Sequence, residues 1–230
     1  MQGYGQYCPL ALASEIVGER WTLLVLREVM LGSRRFNDIH RGVPRMSPAL
    51  LSRRLKTLTE HGIVERHVVD GHSEYALTKA GGELAPFLMD LAIWGKRWLP
   101  ATLSRERADP DLIMWDMHRH IDRESLPPGR TVVQFSFLDL PAAKRDRWIV
   151  SQRPEIDFCI KDPGYEVDLF VETDSRTITW VWYGDMPLTE AIGEGRIALH
   201  GPADLRRQFP RWMPLSPLAP YARERPVALR

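Results

Sequence analysis

Seven basic side chains crowd into the stretch from Arg34 to Lys56: Arg34, Arg35, Arg41, Arg45, Arg53, Arg54 and Lys56, against the single acid Asp38. Guanidinium groups bind phosphate oxygens as paired donors, and an ammonium group does so as a point charge. The chain as a whole carries a net charge of only +1 over 230 residues. Residues 1–100 hold 13 basic and 10 acidic residues, leaving 18 and 20 to the remainder. The attraction for a polyanion is therefore local rather than global. A merely solvated basic face would have the same composition, so the spacing of these residues has to decide.

That spacing describes two short helices and a turn. Phe36 to Arg41 makes a short helix, broken by Gly42-Val43-Pro44. Ser47 then caps a second helix with Pro48 at its first position, where the missing N–H costs nothing. This helix runs to about His61 and ends at Gly62. Stepping about 100° per residue puts Leu51, Leu55 and Leu58 on one stripe that must face a core. Ala49, Ser52, Arg53 and Lys56 fall on the far side, free to enter a groove. Arg54 lies at the edge of the core stripe, within reach of a phosphate or a carboxylate. Two helices joined by a turn, the second loaded with arginine, form the layout that places a helix in DNA.

The flanking elements fit that layout. Ser14 to Leu31 carries Ile16, Val17, Trp21, Leu24, Val25 and Met30 at helical spacing, which predicts one helix ended by Gly32. Alternating runs on either side of Asp70-Gly71-His72 predict a β-hairpin over 63–78. A hairpin directly after a recognition helix is a wing. Its DNA-facing candidates are Arg66, His67 and His72. The candidate DNA contacts are thus Arg34, Arg35, Ser47, Pro48, Ala49, Ser52, Arg53, Arg54, Lys56, Arg66 and His72. Thr78 is placed to cap a long helix from about Lys79 to Leu99, with Leu84, Phe87, Leu88, Leu91, Trp94 and Trp98 on it. So apolar a helix exceeds the core left to cover it. A second copy of the chain is the expected cover, and a homodimer suits operators built of repeated half-sites.

On these residues the chain resembles the HxlR-type winged-helix regulators, relatives of the MarR group. The matching string runs from Cys8-Pro9 through Gly18-Glu19-Arg20-Trp21, Leu31-Gly32, Arg35-Phe36-Asn37-Asp38-Ile39, Ser47 and Leu50-Leu51. It continues through Arg54-Leu55, Leu58, Gly62-Ile63-Val64, Arg66, Glu74-Tyr75-Ala76-Leu77-Thr78, Gly81, Leu84 and Trp94-Gly95. The chain departs from that pattern at the wing tip, where Gly71-His72-Ser73 stands in place of paired prolines. The resemblance implies a dimeric DNA-binding repressor or activator, and implies for Cys8 the position of an oxidant- or electrophile-sensing thiol. Packing alone also accounts for a Cys-Pro there.

Beyond Leu103 to Pro110, a charged and proline-ended connector, the pattern changes. An amphipathic helix is expected over Leu112–Ile121, broken by Pro127-Pro128-Gly129. Strands are expected over Thr131–Leu138, Trp148–Val150 and Ile156–Ile160. A hairpin of Glu166–Glu172 and Thr177–Tyr183, turned by Asp174-Ser175-Arg176, and helices near Leu188–Ile192 and Ala203–Phe209 complete the reading. The segments Thr177–Asp185, Ala191-Ile192, Gly195–Pro202 and Phe209-Pro210-Arg211-Trp212 resemble the sterol-carrier-protein-like fold over roughly residues 110–218. That resemblance implies a five-stranded sheet, helices packed over it and an apolar tunnel for a hydrophobic small molecule. Phe135, Phe137, Trp180 and Trp182 either line such a pocket or pack as plain core.

The fold class expected is α+β: a winged helix-turn-helix domain over 1–103 and a sterol-carrier-like domain over 110–230. Hydrophobic residues at 44% can build both cores, and 27% charged residues is ordinary for a soluble protein. The two cysteines, Cys8 and Cys159, suggest neither a disulfide framework nor a zinc site. The start lacks a signal-peptide pattern, and runs such as Leu23–Leu26 and Phe87–Trp94 are too short to span a bilayer. A cytoplasmic location without a membrane partner is expected. His118 and His120 stand two apart on a helix and face different ways, so they do not form a metal pair. HExxH, CxxC, GxSxG and P-loop patterns are missing, and neither enzyme chemistry nor a cofactor is expected. The expected function is a DNA-binding transcription regulator modulated by a hydrophobic effector. The alternatives are a redox regulator acting through Cys8, or a lipid-carrier or protein-interaction module that does not bind DNA.

Overall fold

The computed structural model describes residues 3–99, 108–152, 154–213 and 215–224. The chain divides into two compact units, Met1–Ala92 and Ile93–Arg230. The connector expected at Leu103–Pro110 lies largely outside the described residues.

The first unit opens with α1 (Pro9–Val17) and α2 (Thr22–Met30). The single helix expected over Ser14–Leu31 is thus two. Trp21 between them has a φ of 79°, in the left-handed region, and the Arg20 carbonyl is taken by the Arg54 guanidinium rather than by the helical ladder. Next come α3 (Phe36–Gly42) and α4 (Pro48–Glu60). The hairpin follows as β1 (Val64–Val69) and β2 (His72–Leu77). Asp70 and Gly71 both have positive φ, 50° and 75°, which matches the right-handed twist of a tight hairpin.

Thr78 caps as expected, its hydroxyl accepting from the Gly81 amide at 3.1 Å. The helix it opens comes as α5 (Lys79–Glu83) and α6 (Ala85–Trp98) rather than as one piece. Pro86 lacks the N–H that would bond back to Gly82. Leu51, Leu55 and Leu58 of α4 are buried with Val25, Leu26, Val29, Ile39 and Met46 in one core. Beneath the turn between α3 and α4 sits the fully buried Glu28. It accepts from Arg27 Nε and Nη2 at 3.1 and 2.8 Å and from Ser33 Oγ at 3.2 Å. Gly42 makes room for it: a Cβ there would lie 1.9 Å from the carboxyl carbon.

The second unit contains α7 (Pro110–His120), β3 (Arg130–Phe137), β4 (Asp146–Gln152), β5 (Glu155–Cys159) and β6 (Leu169–Thr173). It continues with α8 (Ser175–Trp182), α9 (Leu188–Gly193), β7 (Ala198–His200) and α10 (Ala203–Trp212). The five strands run in the order β5-β4-β3-β6-β7, with β3 and β6 parallel and the other pairs antiparallel. Phe135, Phe137, Ile149, Leu169 and Val171 on one sheet face share a core with Met114, Trp180, Trp182, Phe209 and Trp212 from the helices.

One expectation fails here. Thr177–Tyr183 is not the second strand of a hairpin but the body of α8 and its C-cap, Tyr183. Asp174, expected in the turn, is the helix cap. Its Oδ1 accepts from the amides of Arg176 and Thr177, each at 2.9 Å, and its Oδ2 from Thr177 Oγ1 at 2.6 Å. The alternation of Ile178, Trp180 and Trp182 misleads because α8 is buried all round: every residue of it except Arg176 is buried. The strand β7, three residues long, was not anticipated.

Candidate nucleic-acid interface

The site begins with Ser47, whose Oγ accepts from the Leu50 amide at 3.3 Å and so starts α4. With Leu51, Leu55 and Leu58 turned into the core, Ser47, Pro48, Ala49, Ser52, Arg53 and Lys56 are left exposed on one face. The amide-rich start of α4 adds the partial positive charge of a helix N-terminus to this face. The Arg53 guanidinium has no ion-pair partner among the described residues. Lys56 lies 3.7 Å from Glu60 one turn on, with both side chains well exposed. Such a pair is weak in water and gives way readily to a polyanion.

Arg34 and Arg35 are held beside the wing. The Tyr75 amide donates to the Arg34 carbonyl at 2.8 Å, and the Arg35 guanidinium lies 3.6 Å from the Glu74 carboxylate. Both side chains are exposed. On the wing itself Arg66 Nε and Nη2 donate to Ser73 Oγ at 3.0 and 2.7 Å, which fixes its direction. His67 lies 3.2 Å from Glu65, and His72 is exposed at the tip.

Arg54 does not belong with these residues. It is 9% exposed, forms an ion pair with Glu19, and donates through Nε to the Arg20 carbonyl at 3.3 Å. The carboxylate its position allowed is Glu19, 35 residues earlier. Its guanidinium is engaged by Glu19 and Arg20 rather than turned to the exposed face of α4. Glu19 was not among the candidate residues, because nothing local pairs it with α4.

Two further features of the chain are exposed. Phe87, Leu91, Trp94 and Trp98 form an apolar stripe along α6 and stay 40–52% exposed. At the other end of the first unit, Cys8 is exposed at the N-cap of α1, and its side chain makes no capping bond.

The last turn of α6 belongs to the second unit. Lys96 is buried, and its Nζ donates to the carbonyls of Tyr183 and Leu218, the latter at 3.0 Å. Arg223 donates to the Lys96 carbonyl at 3.0 Å and pairs with Asp185 at 2.8 Å. Burial holds the Lys96 ammonium below its usual pKa; nearby Asp185 opposes that shift, and Arg223 reinforces it.

In the second unit Phe135, Phe137, Trp180 and Trp182 are all buried in the shared core, and Trp182 Nε1 donates to Asp116 at 3.3 Å. A separate cleft of about 490 Å³ opens on the other face of the sheet, lined by Val150, Gln152, Glu155, Asp157, Cys159 and Tyr165. None of the four aromatic side chains lines it. Burial against Trp115 and Phe158, with the Arg119 charge adding to it, pushes the His118 imidazole down to about 4. Among the described residues, no group of three or more potential ligands could hold a metal ion.

A capped helix with a buried leucine stripe, a short helix before it and a two-stranded wing after it define a winged helix-turn-helix. Residues 16–103 match the family described as HxlR-like helix-turn-helix. The chain is 37% identical over 131 residues to the HTH-type transcriptional regulator Rv3095 of Mycobacterium tuberculosis, which covers 50% of this chain and 81% of that protein. It is 36% identical over 98 residues to the HTH-type transcriptional regulator YvaP of Bacillus subtilis, covering 41% of this chain and 91% of that protein. A solved structure, the reduced form of the regulator YodB from B. subtilis, is 30% identical. It covers 40% of this chain and 93% of its own, with a TM-score of 0.36. The chain belongs to the HxlR-like helix-turn-helix family of transcriptional regulators.

Proposed function

We propose that the chain is a homodimeric transcription regulator that binds double-stranded DNA through α4, with a hydrophobic small molecule in the second unit modulating that binding. The observation that carries the DNA reading is the division of α4 into a buried leucine stripe and an exposed face of Ser47, Pro48, Ala49, Ser52, Arg53 and Lys56. Arg53 and Lys56 reach base edges or phosphate in the major groove, while Arg34, Arg35, Arg66 and His72 contact the backbone on either side. The exposed stripe on α6 supports a second copy of the chain as its cover. Among the described residues no helix is long and apolar enough to cross a membrane.

The effector reading rests on the sterol-carrier-like resemblance of residues 110–218 and is supported by the five-stranded sheet and its apolar core. Phe135, Phe137, Trp180 and Trp182 are the side chains that an apolar ligand entering this core would meet. Within the second unit, Lys96 and Arg223 fix the last turn of α6. Effector binding shifts the placement of the two recognition helices and so their match to half-site spacing. Cys8 supports a second reading, regulation by thiol oxidation, because it is exposed at a helix N-terminus.

Selection of fragmented genomic DNA by the purified chain tests the DNA reading, with the Arg53→Ala, Lys56→Ala variant as control. A few sites sharing an inverted repeat, lost in the variant, are expected. Equal recovery by both proteins would exclude α4 as the reading element. A hydrophobic compound that binds the chain without shifting its affinity for a recovered site would refute the effector coupling.

A further inference from the structure

Helix α1 is poorly anchored. None of its residues is buried, Leu10 and Leu12 are exposed, and only Ile16 and Val17 pack partly against the core of the first unit. It leads into a link, Gly18 to Trp21, that ends in a left-handed tryptophan rather than a glycine. That conformation persists only where neighbours hold it. The Trp21 ring packs partly against the core of the first unit, and polar contacts hold the rest of the link. Arg54 pairs with Glu19 and bonds the Arg20 carbonyl, and the Arg20 guanidinium lies 5.4 Å from the centre of the Trp21 ring. Arg54 is the only residue of α4 that bonds this link among the described residues, and the residues flanking it, Arg53 and Leu55, belong one to the exposed face and one to the core.

We infer that Arg54 is a positioning residue: it clasps the recognition helix to the α1–α2 link, so that a displacement of α1 reaches α4. The clasp has two fixed points, a carboxylate and a carbonyl, and a planar guanidinium spans both. Moving Glu19 by even an ångström forces a choice. Either α4 follows, or the buried Arg54 guanidinium is left without its carboxylate, which is costly. The helix that must fit a groove is thereby tied to a helix none of whose residues is buried. This inference rests on the DNA-binding reading for its consequence but not for its geometry.

The test uses the full chain with Glu19→Gln, Arg54→Gln and the double substitution. Amide hydrogen exchange on the free proteins comes first. Each single variant is expected to speed exchange roughly tenfold both in residues 18–22 and in the middle of α4, with the β1–β2 hairpin unchanged and the double variant no faster than either single. Wild-type exchange in α4 of Glu19→Gln would overturn the clasp. The second arm measures binding of a 30-base-pair duplex of random sequence against salt, at a temperature where every variant is folded. Both singles are expected to weaken binding several-fold while leaving the salt slope at the wild-type value. A slope lowered by about one in Arg54→Gln, with Glu19→Gln binding like wild type, would make Arg54 a phosphate contact and sink the inference. Failure of the wild-type chain to bind any duplex at low salt would remove the DNA reading instead. The exchange arm would still decide the clasp.

Discussion

Helices α4 and α8 both start at a side-chain oxygen cap, Ser47 in one and Asp174 in the other, and then diverge. In α4 the apolar residues occupy one stripe and the opposite face is left to serine, arginine and lysine in solvent. In α8 every residue but Arg176 is buried. A helix buried on one side only has side chains to spare for a partner. A helix buried all round is scaffold, and chemistry reaches it only if something enters the core. Substitutions should therefore separate cleanly, with stability the readout in α8 and binding the readout in α4.

The largest stability effect is expected from Trp182→Ala. It removes a 1% exposed indole from the core and its bond to Asp116, and should cost the second unit about 3–5 kcal/mol in urea unfolding. A loss below about 1 kcal/mol would mean that α8 is not scaffold.

Acid should act on the same unit. His118 titrates near 4 when folded and near its ordinary value of about 6.5 when unfolded. Between those values the unfolded chain binds the extra proton, so stability is intact above about pH 6.5 and falls as pH drops toward 4, by at most about 3 kcal/mol. His118→Phe should flatten that part of the urea midpoint–pH curve. An unchanged slope would assign the acid sensitivity elsewhere.

Asp174→Ala should cost about 1 kcal/mol through loss of the α8 cap, and Ser47→Ala a comparable or smaller amount in α4, both read as shifts in unfolding midpoint. Arg53→Ala and Lys56→Ala should move stability by no more than about 0.5 kcal/mol. A larger loss would place these side chains in the fold rather than at an interface.

The start and end of α4 were legible because Ser47-Pro48 and Gly62 are local signals with local causes. So was the wing, since Asp-Gly between alternating runs has few other uses. The break at Trp21 was not legible. Gly18 ends α1 and is a local signal, but the left-handed turn falls on Trp21, where no glycine stands, and the Arg20 carbonyl beside it bonds Arg54, far along the chain. Arg54 itself was half legible, its edge position allowing a carboxylate without saying which. Thr177–Tyr183 misled for the opposite reason. A helix buried all round carries no stripe, and its β-branched and aromatic residues imitate a strand. The cue that favours helix is Asp174 three residues before Thr177, a capping spacing that also fits a turn. Strand β7 is too short to carry an alternation at all.

The proposed DNA binding depends on α4. Its most direct test is the salt dependence of duplex binding by the wild-type chain and by the Arg53→Ala, Lys56→Ala variant, read by fluorescence anisotropy. The expected result is a steep wild-type decline in affinity with salt, and a variant that binds more weakly with a slope smaller by about two. Identical slopes and affinities for the two proteins would contradict the account.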